Sequence, residues 1–172
     1  PGYLSLHRSG ELRKRARLAM AGLESCELCP RLCRVNRLSD VPKSRGACKA
    51  GVSPVIASWN AHHWEEPPIS GSRGSGTVFF SGCTGKCRFC QNYSISQLGY
   101  GNTVSIERFA GMMLELQRRG CHNINFVTPT HYIPQILAAV DVAAGWGLHL
   151  PLLYNTSGYE RVEMLQLLDG VI

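Results

Sequence analysis

The sequence predicts an α/β fold in which parallel strands alternate with helices, preceded by an irregular cysteine-rich lead-in. Three observations carry that expectation. From Thr77 onward, short apolar runs of strand length alternate with longer segments of helical period. Each short run ends in a polar or cysteine-bearing stretch, and functional residues gather at such ends in a parallel sheet with right-handed crossovers. From Cys26 to about Gly76, by contrast, Cys, Pro, Gly and Ser abound and no long window shows helical or strand periodicity. The predicted division is 1–76, an N-terminal helix with a metal-binding lead-in, and 77–172, a series of βα units.

The first element is a helix over HRSGELRKRARLAM, crowded by Arg8, Arg13, Lys14, Arg15 and Arg17. Such a charge run fits either a nucleic-acid contact or a solvated face on a helix that packs through Leu12, Leu18 and Ala19. No aromatics interleave with the charge, which favours the solvated face. In the second half, TVFFSG is a strand, and SIERFAGMMLELQRRG sets Ile106, Phe109, Met112, Met113 and Leu116 on one helical face before Gly120 stops it. NINFVT is the next strand, IPQILAAVDVAAGW a helix with Pro near its start, HLPLLYN a third strand and ERVEMLQLL a third helix. Asp169-Gly170-Val171-Ile172 reads as the start of a fourth strand.

The chain has 172 residues, 44% of them apolar, within the range of one ordinary domain and enough for a substantial core. No apolar run approaches the roughly 20 residues that span a bilayer. Residue 1 is Pro, no secretory signal pattern follows, and eight clustered cysteines favour metal in a reducing compartment over disulfides, so a cytoplasmic location without membrane partners is expected.

The strand TVFFSG runs directly into Cys83, Cys87 and Cys90, spaced C-x3-C-x2-C within GCTGKCRFCQN. Three thiols at this spacing can hold three irons of a 4Fe-4S cluster and leave the fourth open to an external ligand. Ferredoxin spacing with its distant fourth Cys and Pro is absent from this loop, so a closed electron-carrying cluster fits less well.

At these residues the chain resembles the radical S-adenosylmethionine (SAM) superfamily, whose motif is C-x3-C-x-aromatic-C on the loop after the first strand of a partial (β/α) barrel. Phe89 stands at the aromatic position, and CRFCQN with the preceding FFSGC resembles the branch related to pyruvate formate-lyase-activating enzyme, with Gln91 and Asn92 after the last cysteine. The resemblance runs from about Glu24 to the C-terminus. It implies a fold of the radical SAM partial-barrel type comprising roughly the first three to four βα units, with about half of such a barrel absent. It also implies that SAM chelates the open iron and that one electron cleaves it to methionine and a 5′-deoxyadenosyl radical for hydrogen abstraction, the target in this branch being a glycine on a partner protein. An electron donor of the flavodoxin or ferredoxin type follows from the same likeness. Besides Phe89 and Asn92, the cofactor-binding residues it points to lie at the next two strand ends. Thr128 and Thr130 stand in Thr128-Pro129-Thr130-His131 where many members carry Gly-Gly-Glu, and Asn155 and Ser157 stand in Asn155-Thr156-Ser157-Gly158 where activating enzymes begin with Asp. The rival readings are a non-catalytic iron-sulfur or zinc module and a radical SAM enzyme acting on RNA. The first would need four cysteines per site, and the second rests on the basic helix alone.

A second constellation, Cys26, Cys29, Cys33 and Cys48, has the spacing C-x2-C-x3-C-x14-C. Four thiolates so placed suit tetrahedral zinc or a closed auxiliary iron-sulfur cluster, and metal would fold an otherwise irregular segment. Cys121 stands alone and reads as a core residue. His62, His63, Glu65 and Glu66 precede Pro67-Pro68, forming either a stiff turn or a set of substrate-facing acids and bases, with Glu65 and Glu66 the substrate-side candidates. Gly71, Gly74 and Gly76 precede a strand instead of following one, which argues against a phosphate loop. His131 fits a turn histidine better than a proton carrier.

Overall fold

A five-stranded mixed sheet with helices on one face organises the chain in the computed structural model, which describes residues 1–38 and 46–172. Residues 39–45, part of the lead-in expected to be irregular, lie outside the described residues. The strands are β1 (Val55–His62), β2 (Ser75–Phe80), β3 (Asn102–Thr103), β4 (Ile124–Val127) and β5 (Leu152–Asn155), in the order β3-β1-β2-β4-β5. β2, β4 and β5 are parallel, as the alternating pattern predicts, while β1 pairs antiparallel with both β2 and β3. The sheet is open, consistent with a partial β/α fold of the expected type.

β1 corrects the expectation of an irregular segment up to Gly76. Its sequence VIASWNAH lacks apolar alternation because most of its residues are half-buried on both faces, and period 2 requires one wet face. The strand covers what would otherwise be the free edge of β2, so the parallel core is shielded on that side.

The N-terminal segment forms two helices instead of one, α1 (Gly2–Ser9) and α2 (Glu11–Ala21), because Gly10 takes a φ of 78° and ends the first. On α2 the buried residues are Leu12, Ala16 and Ala19, whereas Leu18, expected to pack, is 65% exposed. Helical geometry explains the correction, since Leu18 lies about 240° around the axis from Leu12. Both helices dock on α6 (Ile133–Gly145): His7 Nδ1 and Arg13 Nε donate to the buried Asp141 carboxylate at 2.7 Å and 3.0 Å. Arg15 bonds Glu11 and the carbonyls of Leu167 and Asp169. Tyr3 is fully buried with its hydroxyl donating to the Leu150 carbonyl, and burial pushes its phenol up to about 12.

The helix α5 (Ile106–Arg118) is capped by the Ser105 hydroxyl accepting from Arg108 N–H and buries Phe109, Met112, Met113 and Leu116 as its periodicity predicts. Ile106, at its first turn, is only partly buried. Phe109 interlocks with Phe80 of β2 and Phe126 of β4 at ring-centroid distances of 5.6 Å and 6.0 Å. α6 is apolar nearly all round because it is enclosed by α1, α2 and α5. Cys121 is 3% exposed and belongs to this core, as expected. The remaining helices are two single turns, α3 (Pro67–Ser70) and α4 (Tyr93–Ser96), and α7 (Val162–Leu168) after β5. Among the described residues, no helix is long and apolar enough to cross a membrane.

Candidate active site

Register determines where the chemistry collects. Phe79 of β2, Val127 of β4 and Asn155 of β5 lie side by side, so the three parallel strands end level and their outgoing loops share one edge of the sheet. The β2 loop carries Cys83, Cys87 and Cys90, the β4 loop carries Thr128, Thr130 and His131, and the β5 loop carries Thr156, Ser157 and Glu160.

Two polar stitches hold these loops together. His131 is 1% exposed and its Nε2 donates to the Ser81 carbonyl at 2.9 Å, tying the β4 loop to the start of the cysteine loop. Burial holds its imidazole down to about 4, so the ring is neutral, and its Nδ1 has no partner among the described residues. The second stitch is Glu160, to which Thr130 Oγ1 donates at 2.7 Å and Thr156 Oγ1 at 2.6 Å, with a longer contact from the Tyr154 hydroxyl. Burial first, and then the Glu160 charge, keeps the Tyr154 phenol well above its ordinary range and therefore a donor. Sequence reasoning missed Glu160. The sequence gives Thr128-Pro129-Thr130-His131 no carboxylate, and only the fold carries this one across from the neighbouring loop.

The cysteine loop lies at the surface. Cys87 is exposed, and Cys83 and Cys90 are half-buried. A methyl group added at Gly85 would lie 3.6 Å from Cys83 Sγ and 3.7 Å from Cys87 Sγ, so those two sulfurs flank one point. Gly85 N–H donates to Cys83 Sγ and Ser96 Oγ donates to Cys90 Sγ, both at 3.3 Å. Phe89 is 93% exposed, and Asn92 caps α4 with its carbonyl accepting from Ile95 and Ser96. Thr128 takes a φ of 49°, which strains a β-branched residue, while its N–H donates to the Asn155 carbonyl and extends the β4–β5 ladder. Asn155 and Ser157 are exposed at the same edge.

Glu65 and Glu66 enter from the other side of the sheet. They line a cleft with Ile69 of α3, Asn125, Tyr154, Asn155 and Thr156, and Asn125 points away from α5 because its neighbour Phe126 packs on Phe109. Asn125 is 2% exposed there, and its Oδ1 has no partner among the described residues. His62 and His63 are absent from that lining.

The lead-in cysteines gather at one cavity beside the same edge, lined by Cys26, Cys29, Cys33 and Cys48 together with Thr84 and His131. Burial pushes the Cys29 and Cys48 thiols up, and the neighbouring cysteines add to both. As the thiols stand, no group of three or more His, Cys, Asp or Glu among the described residues has metal-holding geometry.

Comparison with known proteins agrees with this arrangement. The chain is 30% identical over 157 residues to "Uncharacterized protein MJ0674" of Methanocaldococcus jannaschii, an alignment covering 87% of this chain and 43% of that protein. The chain thus spans less than half the length of this relative. No solved structure matches. The profile of the radical SAM superfamily matches residues 77–170, from the second residue-pair of β2 through the last helix. With its match extending over more than half of the sequence, the chain belongs to the radical SAM superfamily.

Proposed function

We propose that this protein is a radical SAM enzyme of the pyruvate formate-lyase-activating type, with Cys83, Cys87 and Cys90 as the ligands of its 4Fe-4S cluster. Family membership implies that cluster and SAM, which together supply, when bound, a 5′-deoxyadenosyl radical able to abstract hydrogen. The observation that carries the assignment is a loop with three cysteines and no fourth, at the level C-terminal edge of three parallel strands. That donor set fits a cluster with one open iron: the sulfurs of Cys83 and Cys87 flank one point, and Cys90 is hydrogen-bonded by Ser96.

The chain's own residues then divide the remaining work. Thr130, Thr156 and Tyr154 orient the Glu160 carboxylate at the edge where a cationic amino group would need an acceptor. Thr128, Asn155 and Ser157 offer backbone and side-chain polar groups beside it, exposed Phe89 stands between Cys87 and Cys90, and half-buried Asn92 follows the loop. Glu65 and Glu66, which share a cleft with Asn125, are in this reading the substrate-side carboxylates. In this reading a protein presenting a glycine is the substrate, and a flavodoxin or ferredoxin supplies the electron in the cytoplasm.

The test is anaerobic reconstitution of the full chain with iron and sulfide, dithionite reduction, and chromatography for 5′-deoxyadenosine after SAM addition. Product is expected from the native chain, and none above background from Cys83→Ala, Cys87→Ala or Cys90→Ala. Equal product from native and substituted chains, or a cluster that never cleaves SAM, would remove the assignment.

A further inference from the structure

The four lead-in cysteines belong to no motif of the matched region, which begins at residue 77. They nevertheless share a cavity, and the local backbone is bent to bring them there. Cys26 N–H donates to the Val35 carbonyl and Arg34 N–H to the Cys26 carbonyl, folding the segment back so that Cys33 returns toward Cys26. A methyl group at Gly46 would lie 3.2 Å from Cys33 Sγ, which sets that sulfur against the turn leading to Cys48.

Two further observations point to a ligand in this cavity. The first is charge. Arg37 lines it at 2% exposure, donating to the Gly51 carbonyl at 2.9 Å and to Cys26 Sγ at 3.7 Å, and no carboxylate pairs with it among the described residues. A buried guanidinium is costly without a compensating negative charge; here it faces the Gly51 carbonyl, the Tyr132 ring at 5.7 Å and the Cys26 thiol, and of these the thiol is the group that metal binding would make negative. The second is unspent hydrogen-bonding capacity. His131 Nδ1 and Thr84 Oγ1 are buried, line the same cavity and have no partner among the described residues.

We propose that Cys26, Cys29, Cys33 and Cys48 form a closed tetrathiolate metal centre, with Arg37 as its buried countercharge and the Thr84 hydroxyl and His131 against its sulfurs. Loading a dication releases four thiol protons and leaves a centre of net charge −2 beside Arg37; a 4Fe-4S core, assembled from iron and sulfide, reaches the same charge in its oxidised form. Drawing the four sulfurs onto one centre is the step the metal drives, since thiolates repel one another without it. The centre also braces the neighbouring loop: Arg31 Nε donates to the Thr84 carbonyl at 2.8 Å, and the Gly82 backbone lies against the Cys48 carbonyl.

The test uses the full chain with Cys83→Ser, Cys87→Ser and Cys90→Ser, which removes the thiols of the other loop and keeps the lead-in intact. It is loaded with zinc in one arm and reconstituted anaerobically with iron and sulfide in the other, then desalted. One zinc, or one four-iron cluster, is expected per chain, with sulfur neighbours at about 2.3 Å by X-ray absorption; the arm that retains metal identifies the form. Adding Cys48→His, which preserves a ligand and so the fold, should convert the zinc shell from four sulfurs to three sulfurs and one nitrogen. A folded triple variant that holds no metal in either arm, or a shell unchanged by Cys48→His, overturns the proposal. Neither result touches the radical SAM assignment, because this variant lacks the ligands on which that assignment rests.

Discussion

The two cysteine sets sit side by side yet differ in number and in what surrounds them. Cys83, Cys87 and Cys90 lie on a loop at the surface, three in number, with an exposed aromatic between the last two. Cys26, Cys29, Cys33 and Cys48 line a cavity closed by a buried arginine and a buried histidine. Three thiols on a surface loop leave a metal position for something outside the protein, whereas four thiols around one cavity, with Cys26 buried, Cys29 and Cys48 half-buried and Cys33 exposed, are enough in number to complete a coordination shell. In the proposed reading, the number of thiols and the buried Arg37 and His131 beside the second set separate a reacting site from a holding one, although both use the same side chain.

The comparison breaks most readily at the exposed loop. Replacing any one of Cys83, Cys87 or Cys90 by Ala should reduce 5′-deoxyadenosine formation to background while leaving thermal unfolding close to that of the native chain, measured on the same preparations. The joint between the sets is Gly82, whose φ of 79° and whose close approach to the Cys48 carbonyl leave no room for a side chain. Gly82→Ala should cost about 2–5 kcal/mol in denaturant unfolding, combining left-handed strain with overpacking. It should disturb both sites, where a cysteine substitution disturbs one.

Smaller changes sharpen the contrast. Glu160→Gln removes a carboxylate that two short hydroxyl bonds address, and hydrogen bonds to a charged group are worth about 1.5–3 kcal/mol. SAM affinity by calorimetry should weaken roughly tenfold or more, about 1.4 kcal/mol per decade, with the iron content unchanged. Phe89→Ala, by contrast, should shift stability by less than about 0.5 kcal/mol because the ring is almost wholly exposed, while lowering turnover. A control lies remote from both sets. Hydrogen bonds from Arg108 and Trp59 hold the Glu115 carboxyl below its ordinary value. A depressed carboxyl stabilises the fold above its unfolded value and loses that contribution as pH falls through its folded one. Glu115→Gln should therefore cost at most about 1 kcal/mol at neutral pH, given its partial exposure, and nothing in strong acid. Both cysteine sets should be unaffected.

Much of this arrangement was legible in the sequence because it rests on local rules. Periodicity located β2, β4, β5 and the helices α5, α6 and α7, and the cysteine spacing marked the loop at the end of β2. What escaped depends on contacts distant in sequence. β1 is half-buried on both faces and carries no alternation to read. Leu18 is apolar yet lies off the buried stripe of α2, a matter of helical phase that apolar character alone does not carry. Glu160 gains its place only when the β4 and β5 loops meet, and Arg37 gains its meaning only when the fold buries it beside Cys26.

The most direct measurement is electron paramagnetic resonance of the reconstituted, dithionite-reduced chain before and after SAM is added. The account predicts a reduced-cluster signal that changes on SAM addition and disappears in the Cys83→Ser, Cys87→Ser, Cys90→Ser chain, with any signal from the lead-in centre indifferent to SAM. A cluster signal unaltered by SAM, or a SAM-responsive signal that survives the triple substitution, would contradict it.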